Sequence, residues 1–304
     1  MTDSLISIIL PTYNRASVIK RAVLSILAQS YASFELIIID DGSTDDTADV
    51  VSGINDERIR YIKNDTNQGQ TRARNMGLKE VSGKYIAFLD SDDEWDKNYL
   101  KRQQSILKQQ SEEYGLVYCK CKRVDGDSAS FIPKEVIRED EVKSRLLAEN
   151  FMTLQSVLLK KSYLDKCGLL DEEIPALEDW DFFIRLADIC KFKYNDEVLV
   201  TMHASIDGAN DNITNRIKAR EHILGKYKSD MKAYHQVLNN HYYILTMENV
   251  FVKNKQKAIE CFKKYLEFSP KRPDDFYALF LLKFNIHLAK LYFKLNIRMR
   301  NIFK

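Results

Sequence analysis

The 304-residue chain has no apolar run approaching the roughly 20 residues that a helix needs to cross a bilayer, so no transmembrane anchor is expected. Its opening, MTDSLISIILPTYN, holds an apolar stretch too short for a secretory signal and lacks the basic flank of one, which predicts a cytoplasmic chain. Cysteine is sparse. Five residues, an odd number with no Cys-x-x-Cys spacing, argue against a disulfide framework and fit a reducing compartment. Cys119 and Cys121 share a strand face, and with no second Cys or His pair nearby they read as half-buried core and not as metal ligands. Net charge is low as well, formally +2, so no overall field points to nucleic acid. The first apolar strand runs into Pro11-Thr12-Tyr13-Asn14 where a Rossmann dinucleotide site needs Gly-x-Gly-x-x-Gly, which excludes that fingerprint.

What is present begins with 45% hydrophobic residues, enough at this length for a full-sized core and an additional small domain. Three apolar runs have strand length and β-branched enrichment, and each ends abruptly in polar residues. Residues 5–10 (LISIIL) lead into Pro11-Thr12-Tyr13-Asn14, residues 34–39 (FELIII) into Asp40-Asp41-Gly42-Ser43, and residues 86–89 (IAFL) into Asp90-Ser91-Asp92-Asp93. Amphipathic helical patterns follow, clearest in Val18, Ala22, Val23, Ile26 and Leu27. Strand-helix alternation implies a parallel sheet. Its right-handed crossovers bring the carboxyl ends of the strands to one edge, so the three polar clusters should line a single crevice. Three carboxylates crowded at the end of a buried strand are costly unless a cation binds there, and Asp-x-Asp offers hard oxygens suited to Mg²⁺ or Mn²⁺.

These residues resemble the nucleotide-sugar-dependent glycosyltransferases of family 2. The similarity runs through SIILPTYNR, LIIIDDGSTDDT, NQGQTRARNMGLKEVSGKYIAFLDSDDEW and KKSYLDKCGLLDEEIPALEDWDFFIRLA, in that order, and covers roughly residues 4–205. It implies a GT-A fold, a Rossmann-like, mainly parallel mixed sheet flanked by helices, with an α-helical extension after it. Residues 1–205 would form the catalytic domain, with a nucleotide-sugar-binding half (1–96) and an acceptor half carrying the catalytic base (97–205); residues 206–304 would be the helical region. The activity implied is inverting transfer of a sugar from a nucleotide donor, expected to be UDP-linked, to a glycan or lipid-linked acceptor, with bacterial surface polysaccharide as the commonest setting.

By the same resemblance Pro11, Thr12, Tyr13 and Asp41 hold the nucleoside. Tyr13 would lie against the base and Asp41 would accept from its ring N–H, chemistry that a tyrosine ring and a carboxylate can supply. Asp45 and Asp46 read as partners of a helix dipole behind a Ser43 or Thr44 N-cap. In the loop entering a helix at Asn67–Asn75, Arg72 and Arg74 diverge. Arg74 is the residue the family pattern selects to face the diphosphate, with Arg72 solvent-facing or paired with an acid. Asp90 is expected on ribose or metal and Asp92 as the main metal ligand, while Asp93, on the opposite side of an extended segment, stays in reserve. An inverting transfer needs one general base for the acceptor hydroxyl, and the pattern gives that role to Asp179, with Glu178 among the donor-binding residues. Like charge from Glu178 and partial burial would raise the pKa of Asp179. Trp180 is open to two readings, a platform for the acceptor sugar or core beside Phe182 and Phe183. His203 likewise reads as a third metal ligand or as structural. The polar stretch HASIDGANDN after it has the character of a lid over the donor.

From about Asn212 the pattern is helical, interrupted at Pro270 and Pro273, and is read as a cap on the catalytic domain; AIECFKKYLEFSP looks like one helix of a tetratricopeptide unit, too little for a solenoid. Residues 276–304 combine aromatic side chains with six basic and no acidic residues, a composition suited to the inner-membrane surface. Two rival classes are a nucleotidyltransferase, which would want a Gly-rich phosphate loop after the first strand, and a non-catalytic nucleotide-sugar-binding protein, which would have no need of a base in Glu178-Asp179-Trp180-Asp181.

Overall fold

The computed structural model describes residues 4–204, 212–268 and 273–302. The described residues divide into two compact units, one of residues 4–172 and 178–204, the other of residues 173–177 and 212–302. Segment 173–177 therefore belongs with the helical unit although it lies inside the stretch of sequence that resembles the catalytic domain.

The first unit is built on one mixed sheet. Strands β1 (Ile6–Thr12), β2 (Phe34–Asp40), β3 (Ile59–Lys63) and β4 (Tyr85–Phe88) lie parallel in the order β3-β2-β1-β4. All seven residues of β1 are buried, as expected of a strand covered on both faces, and this is why it reads as an unbroken apolar run without alternation. Helices α1 (Ile19–Leu27), α2 (Thr47–Ser52), α3 (Gln70–Lys79), α4 (Tyr99–Gln109), α5 (Val142–Ala148), α6 (Lys161–Cys167) and α7 (Glu178–Ala187) accompany the sheet. α1 buries Ala22, Val23 and Ile26 as read, with Leu27 half-buried against the core, while Ile19 takes the place of Val18, which stands at the N-cap. α3 lies close over β1 at Gly77, where a Cβ would come within 2.7 Å of Ile9 Cγ2.

Beyond β4 the sheet is no longer purely parallel. β8 (Val157–Lys160) pairs antiparallel with β4, β6 (Tyr114–Asp125) antiparallel with β8, β9 (Lys191–His203) parallel with β6, and the two-residue β5 (Glu94–Trp95) antiparallel with β9; β7 (Ser128–Ile132) hangs on β6. Cys119 and Cys121 are fully buried in the main core, deeper than half-buried. What positions the site is the register: Thr12 sits opposite Asp40, so β1 and β2 end level, and Phe88 sits opposite Ile9, so β4 stops short of them and the aspartates after it fall at the same edge.

The second unit contains α8 (Ile213–Met231), α9 (His235–Phe251), α10 (Lys255–Phe268), α11 (Pro273–Phe284) and α12 (Ile286–Ile302) around Leu238, Leu245, Phe262 and Phe293. Pro273 occupies the first position of α11, where its missing N–H costs no helical bond, and Asp274 and Asp275 face the positive end of the helix dipole. No described helix is long and apolar enough to cross a membrane.

Candidate active site

The ends of β1 and β2 are joined by side chains. Asn14, in the left-handed region at φ 50°, donates its N–H to Ser43 Oγ at 2.8 Å, and its Oδ1 accepts from Thr44 N–H at 2.8 Å. Asp45 accepts from Ala16 N–H at 3.0 Å and from Thr47 N–H at 3.1 Å. Burial opposes its charge, yet the hydrogen bonds from Thr47 and Ala16 bring its pKa below the ordinary value. The N-cap reading of this segment is thus corrected. Ser43 faces Asn14, α2 starts only at Thr47, and Asp45 ties two loops together across the crevice edge.

Pro11 and Thr12 are buried at the end of β1, and Thr12 Oγ1 has no hydrogen-bond partner among the described residues. Tyr13, next along, is 40% exposed. Asp41 is buried and already engaged: it accepts from Asn64 Nδ2 at 2.9 Å, Gln68 N–H at 3.0 Å and Gly69 N–H at 2.7 Å. It therefore shapes the Asn67–Gly69 loop in addition to whatever it would accept from a nucleobase. Gln68 N–H is shared between both oxygens at 3.0 Å, so each oxygen meets two donors and a nucleobase N–H would take the place of one of them. Gly42 (φ +82°) lets that loop approach, since a Cβ there would meet the Thr66 backbone at 2.8 Å.

The three aspartates after β4 have separate duties. Asp93 turns toward β9, its Oδ1 accepting from His203 N–H at 3.0 Å; burial, then the charges of Asp90 and Asp92, push it up to about 8. Asp92 is raised by burial and by Asp90, and partly relieved by Arg15 and Arg21. Arg21 also donates to the Asp92 carbonyl, fixing the loop. Asp92 lines a cleft of about 390 Å³ with Asn14, Arg15, Arg21, Gly126 and His203. The ring Nε2 of His203 lies 3.0 Å from Glu94 Oε1.

Asp90 belongs to a different cluster. Its Oδ1 accepts from Arg74 Nη2 at 2.6 Å and its Oδ2 from Gln155 Nε2, while Nη1 of the same arginine donates to Glu178. Arg74 is buried. Burial works against its charge, but Asp90 and Glu178 outweigh that and raise its pKa above the usual arginine value. Arg74, which the resemblance puts at the diphosphate, bridges the end of β4 to the start of α7. Arg72 pairs with Glu172 at 3.1 Å, both exposed. Asp179 keeps some accessible surface but is closely surrounded by protein. Burial and then the charge of Glu178 push it up to about 7, against the pull of Arg74 and a hydrogen bond from Asn150. Trp180 is core, 1% exposed, with Nε1 donating to Leu146 O at 2.5 Å, so the sugar-platform alternative does not hold.

For a divalent cation the donor set is chemically apt: Asp92 brings a hard oxygen into the cleft, and its raised pKa together with that of Asp93 marks carboxylates short of positive charge. The three expected ligands are not all drawn together. Among the described residues Asp90, Asp92 and His203 do not bring ligand atoms within 4.8 Å of one another, since Asp90 is taken by Arg74 and Gln155 and His203 by Glu94. Gln155, Asn64 and Arg21 escaped the sequence reading. None has a local signature, and Gln155 reaches Asp90 only because β8 runs antiparallel beside β4. The expected lid, residues 203–212, falls largely outside the described residues.

The architecture is that of GT-A glycosyltransferases. S. aureus TarS residues 1–349, solved in complex with UDP-GlcNAc, matches over 94% of this chain and 89% of that one with a TM-score of 0.67, at 20% identity, a likeness of fold. Residues 7–168 match the family described as glycosyl transferase family 2, more than half of the chain, and the protein belongs to that family. An uncharacterized glycosyltransferase of Rickettsia prowazekii (strain Madrid E), RP339, is 27% identical over 272 residues, 84% of each chain. The Escherichia coli UDP-Glc:alpha-D-GlcNAc-diphosphoundecaprenol beta-1,3-glucosyltransferase WfgD is 45% identical over 107 residues, 35% of this chain and 42% of that one.

Proposed function

We propose that this glycosyltransferase takes a sugar from a uridine diphosphate donor, inverts its anomeric centre and places it on a glycan or lipid-linked acceptor in bacterial surface polysaccharide synthesis, at the cytoplasmic face of the membrane. The observation that carries the reading is Asp179, a carboxyl pushed up to about 7 one residue from the Arg74–Glu178 contact. A base poised near neutral pH accepts a proton readily and is still about half ionised there. The names of relatives support the donor and acceptor classes: WfgD is a UDP-glucose enzyme acting on a diphosphoundecaprenol-linked sugar, and TarS was solved with UDP-GlcNAc.

In this mechanism the Asp179 carboxylate takes the proton of the acceptor hydroxyl as that oxygen attacks the anomeric carbon. The bond from that carbon to the diphosphate oxygen breaks, and its electron pair leaves with the nucleoside diphosphate. Glu178 and Asp90 hold Arg74 between them, which keeps positive charge behind the base and the donor-side carboxylate. Tyr13 would carry the base, with Thr12 and Asp41, on exchange of one of its present donors, reading its polar edge and the ribose. A divalent cation, Mn²⁺ or Mg²⁺, held by Asp92 would supply charge to the departing diphosphate.

The test is thermal unfolding with UDP, dTDP, GDP and CDP, each with and without Mn²⁺, followed by release of UDP from UDP-glucose and UDP-GlcNAc. A ligand at 100 times its dissociation constant stabilises by about 2.7 kcal/mol. A metal-dependent shift for UDP and turnover of one donor are expected; absence of any nucleotide shift overturns the donor assignment.

A further inference from the structure

Helix α11 is apolar on opposite faces. Ala278, Leu281 and Leu282 are buried, whereas Tyr277, Phe280 and Phe284, spaced to share the other face, are 55%, 58% and 71% exposed. The rings of Phe280 and Phe284 stack with centroids 5.7 Å apart, so this is a continuous surface and not scattered side chains. α12 repeats the pattern: Ala289 and Phe293 are buried while Leu288 and Leu291 are 46% and 55% exposed. A helix that is apolar all round normally has cover on every side.

Charge identifies the cover. No acidic residue follows Asp275, whereas Lys283, Lys290, Lys294, Arg298, Arg300 and Lys304 are all basic. Lys283 and Lys294 are exposed, while Lys290 is occupied by the Phe251 carbonyl at 3.3 Å. A second copy docking through the same face would set these cations against one another, because a two-fold interface pairs a patch with itself. Neither helix is long and apolar enough to span a bilayer, so the face lies on a surface. We propose that Tyr277, Phe280, Phe284, Leu288 and Leu291 form a docking face for an anionic phospholipid bilayer, with the apolar side chains in the headgroup boundary and Lys283 and Lys294 on lipid phosphates. The inference deepens the reading of an enzyme with a lipid-linked acceptor and takes its biological sense from that reading.

The experiment is flotation of the full-length protein with vesicles of 30% phosphatidylglycerol in phosphatidylcholine, a composition chosen as roughly that of a moderately anionic membrane, against pure phosphatidylcholine. Binding is expected to the anionic vesicles and to fall with salt. Replacing both Lys283 and Lys294 with Gln should weaken it about 30-fold, from roughly fivefold per lysine. Phe280→Ser with Phe284→Ser should weaken it about 10-fold or more, with the far-ultraviolet circular dichroism spectrum unchanged since both side chains are exposed. Equal binding to both vesicle types, or variants that bind like the wild type, overturns the proposal; so does a dimer that the phenylalanine pair alone dissociates, with no vesicle binding. UDP release from soluble donors, measured in parallel, separates the two readings: vesicle binding without UDP release supports the docking face while removing the donor assignment.

Discussion

Arg74 Nη2 stands 2.6 Å from Asp90 Oδ1, although one residue comes from α3 and the other from the loop after β4. The same guanidinium contacts Glu178, so a single buried cation neutralises a carboxylate after β4 and another at the start of α7. Removing one partner of a buried pair leaves the other charge uncompensated, a loss of about 3–5 kcal/mol. Arg74→Ala is expected to lower the unfolding free energy, read from urea denaturation, by an amount in that range. Arg74→Lys should recover part of it, since one ammonium cannot reproduce a two-armed contact.

Asp179 offers a separate test through pH. Its carboxylate is the form that accepts a proton, so kcat should rise with pH and reach half its plateau near pH 7, where the group titrates. Asp179→Asn is expected to reduce kcat by about 10²–10⁴-fold and abolish that limb while leaving UDP affinity unchanged. Because the charge of Arg74 pulls the Asp179 pKa down, residual activity of Arg74→Gln should show the limb moved to higher pH. Glu178→Gln removes the like charge and should move it lower. A limb that stays fixed in all three would take the base role from Asp179.

Gly77 tests how closely α3 lies on the sheet. Alanine gains about 1 kcal/mol of helix propensity over glycine, but its Cβ would meet Ile9 Cγ2 at 2.7 Å, in the middle of a fully buried strand. Overpacking of that kind costs about 1–3 kcal/mol, so steric conflict outweighs propensity. Gly77→Ala should lower Tm in the wild type but not in an Ile9→Ala background, where the γ carbons that the new Cβ would strike are gone.

The parallel half of the fold is legible because buried parallel strands show no alternation: β1 and β2 stand out as apolar runs, and the polar residues ending them announce the crevice edge. The antiparallel half is less so. Pairing of β8 with β4 is decided by tertiary packing, and Gln155, which grips Asp90, therefore has nothing local to mark it. Asp45 was read through its helix neighbours, whereas its partner Ala16 lies 29 residues away across the crevice. Trp180 follows from helix geometry. α7 buries Trp180, Phe182, Phe183, Ile184 and Leu186 in one packed arc, so the tryptophan has no free face to offer a sugar. The Glu178-Asp179 pair is legible through the resemblance to family 2, which puts the one base such a transfer needs at that place, whereas its link to Arg74 joins segments 104 residues apart and has no local mark.

Asp93 is buried, 3% exposed, and titrates near 8, well above the value of about 3.8 from which it starts. The sign of its effect on stability follows. A carboxyl with a higher pKa folded than unfolded binds an extra proton in the native state between about pH 4 and pH 8, so the native state loses stability as pH rises through that window. Asp93→Asn keeps an oxygen for His203 N–H without the charge. In divalent-free buffer the variant is therefore expected to match the wild type at pH 4 and to exceed it at pH 9 by an amount on the order of a few kcal/mol, read from urea unfolding. Mn²⁺ should narrow the gap by neutralising the aspartate cluster in the wild type, and a gap unaffected by Mn²⁺ would separate Asp93 energetically from any cation bound at Asp92.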